Sequence, residues 1–273
     1  NVSIVYSPFH GAGYKIVPRV LEAIGANVTI QPDQAVPDGD FPTLKSPNPE
    51  EREGLSMSIE LAEKIGSDLV IATDPDADRC AIAVIMPDGT VELLSGNQIG
   101  VLLCDFIAQN LRSNGRMPDN AAVISTIVST LMIKKVCADN NIKYFEVLTG
   151  FKYIGEMIAE FEKTGDYTFL LGFEESFGYL KGTYARDKDS VVAAMLITQM
   201  AMFYKNKHMN LKQAMDELYK KYGWFAEKTV SFSISGSQPM EQVGSIMKSL
   251  RDSNDSAVAG TDIICLRDYK LKR

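Results

Sequence analysis

The sequence predicts an α/β protein: two similar α/β/α layered domains with mixed sheets, followed by a truncated C-terminal α+β segment. Three observations carry that expectation. Short β-branched runs alternate with helix-length amphipathic stretches, the pattern of α/β layering. The alternation runs through twice, over about residues 1–94 and again over about 95–225. Beyond Trp224 the texture turns polar, with a break at Gly236-Ser-Gln-Pro239, as at the opening of a third unit over 226–273.

Taken in order, a core strand is expected at 2–6, a helix at 15–24 and a short strand at 28–30. The amphipathic stretch 50–65 reads as a helix, and the uninterrupted Leu69-Val-Ile-Ala-Thr73 as a strand buried on both faces. Strands at 81–86 and 91–94 flank Pro87-Asp88-Gly89, a turn signal, so 81–94 is expected to be a hairpin. The second half predicts helices at 97–110, 130–140, 153–163 and 190–204, with strands at 123–126, 144–147 and 168–172. In the tail a strand is expected at 229–235, a helix at 240–250 and a strand at 263–266.

Composition narrows the function classes. With 273 residues and 45% hydrophobic content the chain can bury a real core. Its 28 Lys+Arg against 35 Asp+Glu give a net charge of -7, and no basic run is long enough to track a phosphodiester backbone, which argues against nucleic acid as a partner. No apolar stretch approaches a membrane span, so no membrane partner is expected. Cys80, Cys104, Cys137 and Cys265 form no C-x-x-C pair and read as reduced, buried thiols of a cytoplasmic protein. The chain starts in a core strand without Met, as a piece of a longer polypeptide would.

Asp74-Pro75-Asp76-Ala77-Asp78-Arg79, directly after the apolar strand, is the strongest chemical signal. Three carboxylates at alternating positions in a tight loop repel one another unless a cation sits among them, and hard oxygen ligands favour Mg²⁺ or Ca²⁺. An EF-hand beginning at Asp74 would need Gly at its sixth position and Glu at its twelfth, where Arg79 and Ile85 stand. A haloacid-dehalogenase phosphatase would carry a small residue two places after its D-x-D, where Asp78 stands, and is the runner-up.

Three further motifs follow. In Gly172-Phe-Glu174-Glu-Ser176-Phe-Gly178-Tyr, Glu174 and Ser176 are two apart, so an extended loop would turn both toward neighbouring sugar hydroxyls. Leu148-Thr149-Gly150-Phe151-Lys152 is a strand-to-helix turn whose amides, with Lys152, could meet a phosphate or a sugar oxygen, though a purely structural turn fits equally. Arg186-Asp187-Lys188-Asp189-Ser190 offers Arg186 and Lys188 as phosphate partners, with Asp189 or Ser190 as a helix N-cap. Pro8-Phe9-His10-Gly11-Ala12-Gly13 lacks the third Gly of a dinucleotide fingerprint, and His10 reads as a structural loop histidine. His208 reads as exposed, and two histidines do not make a zinc site.

Together and in this order, D-P-D-A-D-R, T-G-F-K, G-F-E-E-S-F-G-Y and R-D-K-D resemble the α-D-phosphohexomutase superfamily, and within it the phosphoglucomutase branch, over about residues 1–225. The resemblance implies four domains around one cleft, with this chain supplying domains two and three and the start of domain four. It implies interconversion of glucose 1-phosphate and glucose 6-phosphate through a phosphoserine and a hexose 1,6-bisphosphate, which would also be the activator of the full-length enzyme. Asp74, Asp76 and Asp78 match the family's ligands for one Mg²⁺ per chain, and Arg79 an arginine that reaches the reacting phosphate. Glu174 and Ser176 match the sugar-hydroxyl pair, Thr149 and Gly150 a loop that contacts the sugar, and Lys188 a lysine near the substrate. Some members carry a histidine soon after the E-x-S pair; here Phe177-Gly178-Tyr179 stands instead, which favours the phosphoglucomutase or phosphopentomutase branch.

The partners implied are a phosphosugar and the N- and C-terminal domains of the same polypeptide. No Thr-Ala-Ser-His-Asn-Pro-like phosphoserine loop and no Arg-x-Ser-Gly-Thr-like phosphate loop occurs in the sequence, so the fragment alone is expected to be inactive. Phosphomannomutase, phosphopentomutase and bisphosphate synthase remain open within the superfamily. A non-catalytic sugar-phosphate-binding module is the alternative from another class.

Overall fold

A computed structural model of the chain describes residues 1–227, 234, 239–253, 256–258, 260–263, 265 and 267–269. It divides into two compact units, Asn1–Ala226 and Glu227–Arg273.

The first unit contains two sheets. β1 (Ser3–Ser7), β2 (Asn27–Ile30), β3 (Leu69–Thr73), β4 (Cys80–Ile85) and β5 (Val91–Leu94) form a sheet of order β2-β1-β3-β4-β5. Its first three strands run parallel, while β4 and β5 are antiparallel. β6 (Ala121–Thr126), β7 (Lys143–Val147), β8 (Thr168–Phe173) and β9 (Tyr179–Leu180) form the second sheet, in the order β7-β6-β8-β9, with only β9 antiparallel. The helices are α1 (Ile16–Ala23), α2 (Arg52–Ile65), α3 (Gly96–Ser113), α4 (Met132–Asp139), α5 (Phe151–Thr164), α6 (Ser190–Lys205) and α7 (Leu211–Tyr222). The α/β class with mixed sheets is therefore as the sequence predicts, and the 81–94 hairpin is present as β4 and β5.

The two halves share part of their packing. The halves do not bury wholly separate cores: the largest hydrophobic cluster runs from Ile4, Leu21, Ile71 and Ile82 of the first sheet's half to Leu102, Val123, Ile197 and Met200 of the second. The cause is visible in the helices. α6 is apolar around most of its circumference, so it is buried between neighbours instead of lying on a surface, and it packs against α1, α3 and α7. Two smaller clusters, around Val5, Phe9 and Leu55 and around Ile124, Ile154 and Phe169, sit on the other faces of the sheets.

Within the first unit a strand and an α-helix, β9 and α7, escaped the sequence reading. β9 is two residues long and gives no period to detect. α7 was legible: Asn210 and Gln213 form a capping box, and Leu211, Ala214, Met215, Leu218, Tyr219 and Tyr222 are buried at helical spacing. Of the cysteines, Cys80, Cys104 and Cys137 are buried and Cys265 is exposed, and none is paired. Among the described residues no helix is long and apolar enough to cross a membrane.

The second unit holds α8 (Pro239–Asp252) and an antiparallel pair, β10 (Ala257–Val258) with β11 (Thr261–Asp262). The helix expected at 240–250 is α8. The strand expected at 229–235 lies outside the described residues apart from Ile234, which is in no strand; of 263–266, Ile263 and Cys265 are in no strand and the other two residues lie outside.

Candidate functional site

The candidate metal loop is the connection between β3 and β4, whose pairing closes with Thr73 opposite Cys80. Turning a chain back within the residues 74–79 forces Ala77 into the left-handed region at φ 60°, unusual for a side chain with a Cβ. The carboxylate of Asp74 organises the turn from inside: its Oδ1 accepts from the backbone N–H of Asp78 at 3.0 Å and of Arg79 at 2.9 Å. Ligand oxygens of Asp74, Asp76 and Asp78 all lie within 4.8 Å of one another. Oxygens on one Mg²⁺ at the usual 2.0–2.1 Å are about 2.9–4.2 Å apart, so small side-chain rotations close the set. Asp76 is exposed and Asp78 half-buried, so the trio opens toward solvent.

Gathering three carboxylates has an electrostatic consequence. Burial, with the charges of Asp78 and Asp76 beside it, pushes the Asp74 carboxyl up to about 7, against the opposing bond from the Arg79 backbone. A divalent cation would remove that penalty. Two cations already face the loop. Lys188 Nζ lies 3.0 Å from Asp78 Oδ2, while Arg79 Nε lies 3.7 Å from Asp74 Oδ2 and 3.9 Å from Asp78 Oδ1. Burial opposes the charge on Lys188, but Asp187 and Asp78 together hold its pKa above the ordinary lysine value.

The Gly-rich loop after β1 has a structural role. Gly11 packs so closely on Pro75 that a Cβ there would lie 2.3 Å from Pro75 Cα, and Ala12 N–H donates to the Pro75 carbonyl at 2.7 Å. Behind it, the Tyr6 hydroxyl bonds Thr73 Oγ1 at 2.8 Å. His10 is buried, with its ring nitrogens at 3.0 Å from the Val36 carbonyl and 2.9 Å from Thr43 Oγ1, so it holds loops together as a structural histidine would. His208 is exposed.

The Glu174 loop reaches the metal loop through the backbone. Arg79 bridges Gly178 in antiparallel fashion, and Cys80 N–H donates to the Phe177 carbonyl at 3.0 Å. The β4 entry of one sheet is thus stitched to the turn between β8 and β9 of the other. Glu174 is buried; its Oε1 accepts from Gly150 N–H at 3.0 Å, joining the T-G-F-K turn to the E-E-S turn. Its carboxyl sits above the ordinary glutamate value because of burial, with the Gly150 bond and the Lys188 charge pulling the other way. Gly178 leaves room for the Lys188 stem, since a Cβ there would lie 2.3 Å from Lys188 Cδ.

The structure therefore brings Asp74, Asp76, Asp78, Arg79, Lys188, Glu174 and Gly150 into one neighbourhood, with Ser176 half-buried two residues from Glu174 and Thr149 exposed beside Gly150. Arg186 instead pairs with Glu162 on α5, and Lys152 extends over the Tyr153 ring at 4.9 Å. Asp189 is the N-cap of α6, as one of the two expected choices. Sequence reasoning missed Glu175, whose Oε2 accepts from Thr126 Oγ1 at 2.9 Å and whose carbonyl presses on Gly96, anchoring the loop to β6 and α3. The repeated acid in Glu174-Glu175 was the available signal.

Residues 1–85 match the family model for phosphoglucomutase/phosphomannomutase, alpha/beta/alpha domain II, and residues 95–222 match domain III of the same family. A phosphoglucomutase from Staphylococcus haemolyticus is 33% identical over 275 residues, covering 100% of this chain and 49% of its own length. The chain thus spans about half the length of the curated relatives it matches. A phosphoglucomutase/phosphomannomutase family protein from Burkholderia thailandensis superposes with a TM-score of 0.62 at 18% identity, over 80% of this chain and 42% of that one. Aspergillus fumigatus N-acetylphosphoglucosamine mutase, in complex with GlcNAc-6P and magnesium, gives 0.55 at 15% identity, over 81% and 49%. The solved structures share the fold, the two family models cover consecutive stretches of the chain, and the chain belongs to the phosphoglucomutase/phosphomannomutase family.

Proposed function

We propose that this chain is the metal- and sugar-binding part of a phosphoglucomutase that interconverts glucose 1-phosphate and glucose 6-phosphate through a phosphoserine and a hexose 1,6-bisphosphate. In this reading residues 1–94 supply the metal loop, 95–225 the sugar-binding turns, and 226–273 the linker into a following domain. The observation that carries it is the carboxylate trio at the end of β3, its oxygens within 4.8 Å of one another, laced by backbone bonds to the turn bearing Glu174 and Ser176. The Aspergillus relative's magnesium and GlcNAc-6P support Mg²⁺ and a phosphosugar as the ligands. Four unpaired cysteines fit a reducing, cytoplasmic setting.

Asp74, Asp76 and Asp78 would hold the cation, which when bound supplies positive charge beside a phosphoryl group in flight. Arg79 and Lys188 add positive charge on the same side, and phosphoryl transfer depends chiefly on such positioning and neutralisation. Glu174 and Ser176 orient the hexose, Glu174 as acceptor for a hydroxyl through the carboxylate oxygen not bonded to Gly150. Thr149 and Gly150 line the rim where a second sugar orientation would rest. The phosphoserine and the distal phosphate loop would come from the rest of a longer polypeptide, with hexose 1,6-bisphosphate as activator.

A coupled assay tests this. A full-length protein containing this chain should convert glucose 1-phosphate to glucose 6-phosphate in the usual range of about 1–10³ s⁻¹, Asp76→Ala should abolish it, and residues 1–273 alone should give no turnover. Turnover by the fragment alone that survives Asp76→Ala would overturn the assignment.

A further inference from the structure

The metal loop is gripped by a helix from the other sheet's half. The carbonyl of Ala77, the loop residue at φ 60°, accepts two hydrogen bonds from one residue: Ser190 N–H at 3.1 Å and Ser190 Oγ at 2.6 Å. Ser190 is fully buried and is the first residue of α6, directly after the Asp189 N-cap. Asp189 in turn donates its N–H to the Tyr179 carbonyl at 2.9 Å and accepts from Val191 N–H at 2.8 Å. The start of α6 is therefore fixed to the second sheet and holds the turn of the first.

We infer that Ser190 is the positioning residue of the metal loop: by seizing the Ala77 carbonyl it holds a left-handed backbone that sets Asp76 and Asp78, on either side of Ala77, to face one cation. This rests on the metal-site reading above. A non-glycine residue in the left-handed region is strained and persists only where its surroundings impose it. Two sets of contacts impose it here. Asp74 holds the loop's exit through the Asp78 and Arg79 N–H groups, and Ser190 holds its apex. The backbone N–H of residue 190 would be an orphan of the first helical turn without the Ala77 carbonyl, so the grip also completes α6. The hydroxyl is the part a substitution can remove while leaving that N–H in place.

Mn²⁺ titration of residues 1–273, followed by calorimetry, tests it. Ser190→Ala should weaken Mn²⁺ binding by about three- to tenfold, the effect of losing one neutral hydrogen bond, and Ser190→Thr, which restores a hydroxyl, should recover most of it. Leu196→Ala on the same helix, a buried position away from the loop, should lower the thermal midpoint more than Ser190→Ala while leaving the affinity unchanged. Equal Mn²⁺ affinity in wild type and Ser190→Ala overturns the inference while leaving the metal site standing. So does an affinity loss in Leu196→Ala as large as in Ser190→Ala. A wild-type chain that binds no Mn²⁺ removes both the inference and the metal-site reading beneath it.

Discussion

Lys188 Nζ lies 3.0 Å from Asp78 Oδ2 and 2.9 Å from Asp187 Oδ1, so a lysine from the second sheet's half already touches one of the three carboxylates gathered at the end of β3. The pair partly neutralises the loop before any cation arrives. It also makes the lysine a competitor for an oxygen that a bound cation would use.

Lys188→Met should therefore tighten divalent-cation binding by the isolated chain about two- to fivefold, the worth of a partly exposed ion pair, while lowering the cation-free thermal midpoint. Calorimetry and a melting curve on the same sample separate the two effects. Weaker cation binding in the variant would mean that Lys188 positions Asp78 more than it competes for it.

Asp74 carries a signed pH dependence. Its folded carboxyl is pushed up from 3.8 to about 7, chiefly by burial, so the folded state holds a proton that the unfolded chain releases. The contribution is present below about pH 4 and is lost as pH rises toward 7. The stability of the cation-free wild type relative to Asp74→Asn should therefore fall from pH 4 to pH 7, and saturating Mg²⁺ should recover the loss at pH 7. Denaturant midpoints of the two proteins at several pH values check this.

Gly11 makes a packing prediction. Gly11→Ala would place a Cβ 2.3 Å from the backbone of Pro75, a contact neither segment can relieve without moving the metal loop. It should cost about 1–3 kcal/mol of stability and weaken cation binding, whereas Gly39→Ala, with nothing within 4 Å of its Cβ, should do neither. Urea unfolding with a parallel Mn²⁺ titration is the measurement.

Most of the fold was legible because its signals are local. The buried run at β3, the Pro87-Asp88-Gly89 turn and the amphipathic helices each announce themselves within a dozen residues. Likewise the carboxylate trio was readable, since alternating acids after a buried strand concentrate charge in one turn. What stayed hidden is long-range. The pairing of Arg79 with Gly178 and the Ser190 grip on Ala77 join residues about a hundred positions apart, and no periodicity encodes such a meeting. The role of Gly11 was hidden for the same reason: its partner, Pro75, is distant in sequence. Arg186 was singled out for its charge, yet Glu162 on α5 is the carboxylate it meets, a choice the sequence alone could not rank.

Glu174 joins the two turns proposed to hold the sugar through a charge-assisted bond to Gly150 N–H. Glu174→Ala should accelerate hydrogen exchange at the Gly150 amide about ten- to hundredfold, the effect of losing a bond to a charged acceptor, and Glu174→Gln should retain most of the protection. In the full-length protein Glu174→Gln and Ser176→Ala should impair sugar handling more than cation binding. Unchanged exchange at Gly150 in Glu174→Ala would separate the two turns.

The most direct test of the account is a calorimetric titration of the chain with Mn²⁺ and with Mg²⁺ at neutral pH and low salt, beside the triple variant Asp74→Asn, Asp76→Asn, Asp78→Asn. One saturable site per chain is expected in wild type, and none in the triple variant. Binding by wild type no stronger than that of the triple variant would contradict it.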